Sequence, residues 1–84
     1  MEWKINELRN WLTRMTGAYV VVNSTEEGVN IGLLYSWHEG KGDRYHHAIY
    51  SFNYFSLMTL DVEDLVAEAM RSVIRTMLRD KWVV

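Results

Sequence analysis

The sequence predicts a small α+β domain in two layers, built as a helix, a three-stranded antiparallel sheet and a second helix (αβββα), with both helices on one face of the sheet. Three observations predict this fold. Apolar residues recur at helical spacing near both ends of the chain, and they alternate with polar residues in the middle. Five glycines and no proline separate these segments. At 84 residues, 49% of them hydrophobic, we expect one domain over 1–84.

The first segment has the spacing of an amphipathic helix. Four apolar side chains lie three or four residues apart and share one stripe: Ile5, Leu8, Leu12 and Met15. Gly17 follows at the position where a left-handed residue commonly ends a helix. We therefore expect the helix to end there, with the stripe in the core.

Three segments in the middle of the chain predict strands. The first, 18–22, is β-branched and aromatic, which favours a strand with both faces at least partly covered. The second, 29–37, alternates with period two and is therefore half-buried. The third, 45–54, follows a loop over 38–44, and Ala48 and alternate residues to Tyr54 share a face. Because the connections are short, the three strands most simply form a meander.

The second helix has a clear start. Asp61 is a suitable N-cap and Asp64 a weak capping-box partner, while Leu60 and Leu65 occupy the positions of a hydrophobic staple. Beyond this start, apolar residues cover nearly half of the helix. A helix on a sheet needs an apolar stripe of only about 100°.

The surplus apolar edge of this helix consists of Met70, Ile74 and Leu78. We expect it to contact either the first helix or another chain, and we predict these residues as protein-binding candidates.

Composition excludes several classes of protein. Without cysteine the chain has no disulfide, thiolate metal site or cysteine nucleophile. Nine Lys and Arg against eleven Asp and Glu give a net charge of -2, which disfavours a nonspecific binder of nucleic acid or anionic membrane. The first residues have an amphipathic pattern rather than the apolar region of a signal peptide, and no apolar run has membrane-spanning length. We expect a soluble, cytoplasmic protein.

Residues suited to catalysis or metal binding are sparse. His46 and His47 are neighbours on a predicted strand and point to opposite faces, so with His38 they offer at most two ligands where structural zinc needs four. The segment 40–44 lacks the GxxxxGK[ST] pattern and lies between strands, which indicates a hairpin tip rather than a phosphate loop. No nucleophile and base are brought together by spacing. We therefore predict no enzyme, metal or cofactor.

Aromatic residues are concentrated in the second and third predicted strands. One interpretation is core and cross-strand pairing. The other is an exposed patch that binds a protein, since Tyr and Trp are enriched in interface hot spots. On that interpretation Tyr35, Trp37 and Tyr50 are candidate partner-binding residues.

Basic residues provide candidate charged contacts. Arg71, Arg75 and Arg79 form a ladder at spacings of four on the second helix, and Lys41 and Arg44 lie at the predicted hairpin tip. The ladder either belongs to a mixed solvated face or contacts an acidic partner or a phosphate backbone.

The order of elements also occurs in double-stranded RNA-binding domains. Those domains hold phosphates with basic residues at the start of the second helix, whereas this chain has Asp61, Glu63 and Asp64 there. We therefore identify no family and predict a non-enzymatic protein-interaction module. We expect a homodimeric regulator or inhibitor that occupies a partner protein's surface, a role that suits a phage or mobile element. The alternative is a nucleic-acid-binding module that uses the arginine ladder and the 38–44 loop.

Overall fold

The computed structural model describes residues 2–40 and 42–82 and places two long helices against one face of a three-stranded antiparallel sheet. This arrangement confirms the predicted αβββα fold, with one short helix added. The elements are α1 (Glu2–Thr16), β1 (Tyr19–Ser24), β2 (Gly28–Glu39), β3 (Gly42–Asn53), α2 (Tyr54–Thr59) and α3 (Val62–Asp80).

The sheet has the strand order β1-β2-β3, so the predicted meander is confirmed. β2 and β3 form a hairpin of two 12-residue strands. The predicted loop over 38–44 is therefore wrong, because most of it belongs to the strands. The connection is short, and Gly40 takes a positive φ of 61°, which favours glycine in tight hairpin turns.

The core lies between the sheet and the two long helices. Its fully buried side chains come from α1, β2, α2 and α3: Leu8, Leu12, Val29, Ile31, Leu33, Leu57, Leu65 and Val73. Phe52 of β3 is almost as deeply buried. The predicted α1 stripe is confirmed except at Met15. Its side chain is exposed because it borders an open cavity between α1 and α3 instead of packing into the core. Gly17 has a φ of 68° and ends α1 as expected.

β1 is covered on one face only, which corrects the prediction for 18–22. Val20 is buried beneath α1, whereas Tyr19 is 70% and Val21 40% exposed on the other face. A β-branched run favours a strand, but it does not show whether a second layer covers it. Here both long helices lie on the same side.

The short helix α2 replaces the predicted end of the third strand. Asn53 accepts a hydrogen bond from the Ser56 backbone N–H at 2.8 Å and so caps the helix. Leu57 is fully buried, and Tyr54, predicted as strand, begins the helix. The buried leucine, this cap and the hydrogen bond that Lys4 Nζ donates to the Leu57 carbonyl at 2.7 Å stabilise a segment that lacks a helical repeat.

α3 begins as predicted, with Asp61 at the N-cap position, although its side chain makes no capping hydrogen bond. α1 lies beside α3 and partly covers Met70. Ile74 remains 49% and Leu78 76% exposed, so α1 does not cover the whole surplus edge.

Candidate protein-interaction surfaces

The face of the sheet that carries no helix is apolar. We call it the outer sheet face, and its exposed apolar side chains are Tyr19, Val21, Leu34, Tyr45 and Ile49. Strand register brings them together, since Tyr19 lies opposite Leu34, and Val21 and Ile49 flank Gly32 from the two neighbouring strands. Antiparallel sheets usually place polar residues on a solvated face. This face instead has the composition of a contact surface.

Charge is almost absent from the outer sheet face. Among the described strand residues that face outward by register, none is Lys, Arg or Glu. The single carboxylate is Asp43 near the hairpin turn, which pairs with His38 Nδ1 at 2.6 Å. At the opposite end, the Ser51 hydroxyl donates to Asn30 Oδ1 at 2.6 Å. At each end, the apolar centre is thus bordered by a pair of polar side chains that contact each other.

A groove runs between α1 and α3 on the other side of the molecule. We call it the α1–α3 groove; its volume is about 690 Å³ and its lining is Trp3, Glu7, Trp11, Met15, Val62, Glu63 and Val66. The four α1 residues of this lining are spaced by four and therefore form one ridge along the helix. Trp3 is 64% exposed and Trp11 is also exposed. Large indole rings are thus presented to solvent beside an apolar channel.

The charges lining the α1–α3 groove are acidic. Glu7 projects from α1 and Glu63 from the first turn of α3, and both are exposed. A cation already packs beside this lining, because the Arg14 guanidinium lies 5.8 Å from the centre of the Trp11 ring. Trp faces attract cations through the ring quadrupole.

A second cavity of about 200 Å³ continues the apolar channel beyond Met15. Met70, Ile74 and Met77 of α3 line it, so the predicted surplus edge borders an open channel rather than a closed helix contact. Tyr35 and Trp82 form its far wall.

The aromatic residues predicted to bind a partner lie on the helix side of the sheet. His46 stacks on Trp37 at 4.6 Å and on Trp82 at 5.0 Å between ring centres, and Tyr35 stacks on Trp82 at 6.4 Å. We call this group the aromatic stack. Tyr35 and Trp37 are therefore partly buried by their neighbours, and their role in partner binding stays a prediction.

Tyr50 is also partly buried on the helix side. Its ring packs edge-on against Phe52 at 4.7 Å, and its hydroxyl donates to the Glu68 carboxylate at 2.9 Å. Burial, reinforced by this hydrogen bond and the nearby negative charge of Glu68, raises the pKa of the Tyr50 hydroxyl. The hydrogen bond joins β3 to α3, and the role of Tyr50 in partner binding stays a prediction.

The predicted basic contacts are dispersed. Arg71, Arg75 and Arg79 are exposed, and helical spacing places this ladder on the flank of α3 away from the groove. Arg79 Nε donates to Asp80 at 3.1 Å. Arg44 lies on β3 opposite Trp37, and Lys41 lies outside the described residues. The ladder and the hairpin tip therefore belong to different elements.

The histidines do not form a metal cluster. His46 belongs to the aromatic stack, whereas His38 and His47 face the other side of the sheet, as the alternation predicted. Within 2–40 and 42–82, no group of three or more His, Asp or Glu side chains is arranged to hold a metal ion. No helix in the same residues has the length and apolar character needed to cross a membrane.

Known protein families, curated proteins and solved structures contain no match to this chain. The surface geometry of the chain is therefore what indicates its function. The partner-binding residues predicted from the sequence did not include Trp3, Trp11, Glu7 or Glu63. The spacing of four from Trp3 to Met15 is nevertheless visible in the sequence. The prediction also missed Tyr19 and Ile49, because alternation does not show which face the helices cover.

Proposed function

We propose that this protein is a non-enzymatic protein-interaction module that self-associates through its outer sheet face. One observation carries the proposal: this face exposes five large apolar side chains and, in the described strands, no Lys, Arg or Glu. Burial of apolar surface is the main favourable term in protein association. An exposed apolar patch bordered by polar residues is typical of an interaction site.

A second copy of the chain is the occupant that fits this face best. In a two-fold dimer the same surface contributes from both subunits, so charged residues near the axis would meet their own kind. The centre of the outer sheet face avoids that repulsion, because Val21, Gly32 and Ile49 form its middle row. Two such faces can pack as the layers of a β-sandwich.

The size of the face indicates a weak dimer. With six residues in β1, the three-stranded part measures roughly 20 Å along the strands and 14 Å across, or roughly 300 Å² in projection. A stable interface buries about 800 Å² of accessible surface on each partner. We therefore expect micromolar self-association and a mass that rises with concentration.

Light scattering over a wide concentration range tests this assignment. Ile49→Lys places a charge at the centre of the outer sheet face, and we expect it to give a monomer at every concentration. Ile74→Lys is the matched control, since it makes the same change at a similarly exposed isoleucine on the helix side. We expect it to keep the wild-type mass.

Two results would contradict the proposal. If the wild-type protein is monomeric at every concentration, it does not self-associate. A dimer that Ile74→Lys disrupts and Ile49→Lys does not would move the interface to the α3 edge. Circular dichroism confirms that both variants are folded before the masses are compared.

A further inference from the structure

We propose that the α1–α3 groove binds a basic amphipathic helix of a partner protein. Its apolar side chains pack against Trp3, Trp11 and Val66, and its cationic side chains face Glu7 and Glu63. This inference rests on the proposed interaction function and adds the chemistry of the partner. It concerns the side of the molecule opposite the outer sheet face.

The shape of the groove suits a helix. Met15 borders both the groove and the second cavity, where it lies beside Met70 and Ile74, so the apolar channel continues along α1 beside α3. From Trp3 to Met15 the α1 wall is about 18 Å long, or roughly three helical turns. An amphipathic helix laid into an apolar groove is a recurrent mode of peptide recognition, with anchors at i, i+3/i+4 and i+7.

The charge of the groove selects a basic partner. Its described lining includes two glutamates, Glu7 and Glu63, and no Lys or Arg. The chain's own Arg14 guanidinium already lies over the Trp11 ring, so the charge preference of the groove rests on the two carboxylates. A partner with Lys or Arg next to its apolar anchors therefore meets Glu7 and Glu63, whereas an acidic partner meets like charge.

The exposed indoles supply the apolar anchor points. Trp is enriched among the residues that dominate the binding free energy of interfaces. Trp3 is 64% exposed in the free protein, so its ring is available without rearrangement of the core. The volume of about 690 Å³ beside it accommodates several inserted side chains.

Calorimetric titration with two synthetic peptides tests the inference. Each peptide has about 14 residues, enough for roughly four helical turns, with leucine at the anchor positions and either lysine or glutamate elsewhere. We expect the lysine peptide to bind at least about tenfold more tightly at low salt and to lose affinity as salt rises.

Paired glutamine variants locate the contact. Glu7→Gln with Glu63→Gln removes both groove carboxylates, and we expect lysine-peptide affinity to fall about fivefold to tenfold, since exposed ion pairs are individually weak. Glu26→Gln with Glu27→Gln makes the same change in net charge in the exposed turn before β2. We expect that control to bind within about twofold of wild type.

Truncation of an indole tests the apolar half of the site. We expect Trp3→Ala to weaken the lysine peptide about tenfold or more, as loss of a hot-spot side chain does. Phe55→Ala is the control, because Phe55 is a comparably exposed aromatic residue on α2 and does not line the groove.

The inference would be overturned by no binding of either peptide, by equal binding of both, or by equal losses in the two glutamine pairs. Peptide affinity that falls as the protein concentration rises would assign the groove to a second copy and would also overturn it. Light scattering and peptide titration of the wild type together separate the two proposals. A protein that dimerises but binds neither peptide refutes only the basic helical partner. A protein that stays monomeric but binds the lysine peptide refutes only self-association.

Discussion

At the scale of single residues, Gly28 lies where β2 passes close to the backbone of β3. A Cβ at this position would overlap the Phe52 carbonyl oxygen and lie 2.7 Å from the Asn53 Cα. Both obstacles are backbone atoms, so no side-chain rotation relieves them. The sequence indicated only a turn near Gly28, whereas the structure shows a close approach that leaves no room for a Cβ unless the backbone shifts.

Gly28→Ala is therefore expected to destabilise the protein by about 3 kcal/mol, as overpacking of a closely fitted site does. Gly42→Ala is the matched control, because no described atom lies within 4 Å of the position of its added methyl group. We expect that control to change the free energy of unfolding by less than about 0.5 kcal/mol. Urea denaturation measures both values, and equal losses would contradict the close approach.

Tyr50 predicts a pH dependence of stability. Because its pKa is raised in the folded state from an ordinary value of 10.0, the folded state holds this proton more tightly than the unfolded state. The resulting stabilisation is complete below about pH 10 and is lost as the pH rises through the folded-state pKa. We expect the free energy of unfolding to fall more steeply above pH 10 in the wild type than in Tyr50→Phe.

Denaturant titrations at several alkaline pH values check this difference. Tyr45→Phe is the control, since Tyr45 is exposed on the outer sheet face, and it should retain the steep fall. Protein concentrations that keep every variant monomeric separate this effect from self-association. Parallel curves for the wild type and Tyr50→Phe would rule out the contribution of Tyr50.

At the scale of elements, the β2–β3 hairpin depends on the chain that follows α3. Lys81 ends α3 in a left-handed conformation with a φ of 54°, and this turn brings Trp82 back onto His46 and Tyr35. The aromatic stack therefore supports the half of the hairpin next to its turn. Residue types alone did not predict this contact, because Trp82 lies far from the hairpin in sequence.

Trp82→Ala is expected to loosen one half of the hairpin. Hydrogen exchange should accelerate at the backbone amides of 35–38 and 43–46. Without Trp82, local opening of this half of the hairpin no longer breaks the stacking contacts and therefore requires less free energy. Amides of 29–32 and 50–52, which flank the buried core, should change little. Trp3→Ala is the control and should leave both groups unchanged. Uniform acceleration along the hairpin would show that Trp82 acts on global stability instead.

At the scale of the whole molecule, the two proposed surfaces lie on opposite sides. The molecule measures 45 × 21 × 20 Å, with the outer sheet face on one broad side and the α1–α3 groove on the other. A dimer formed through the sheet faces would leave both grooves directed outward. Two linked sites can increase the apparent affinity for a partner that presents two basic helices.

Several features followed from the sequence because they depend on local spacing. The apolar repeat from Ile5 to Leu12 predicted α1, period two predicted β2, and Asp61 marked the start of α3. The predicted apolar edge at Ile74 and Leu78 proved to be exposed. Local periodicity specifies which side chains share a face, and these predictions did not depend on how distant elements pack together.

Tertiary structure decided what lies opposite each face. Both long helices cover the same side of the sheet, so Tyr19 and Ile49 are exposed while Tyr35 and Trp37 are partly buried. The groove exists because α1 and α3 lie side by side. The sequence by itself determined the elements and their apolar faces, whereas packing between distant elements decided which of those faces remain open to a partner.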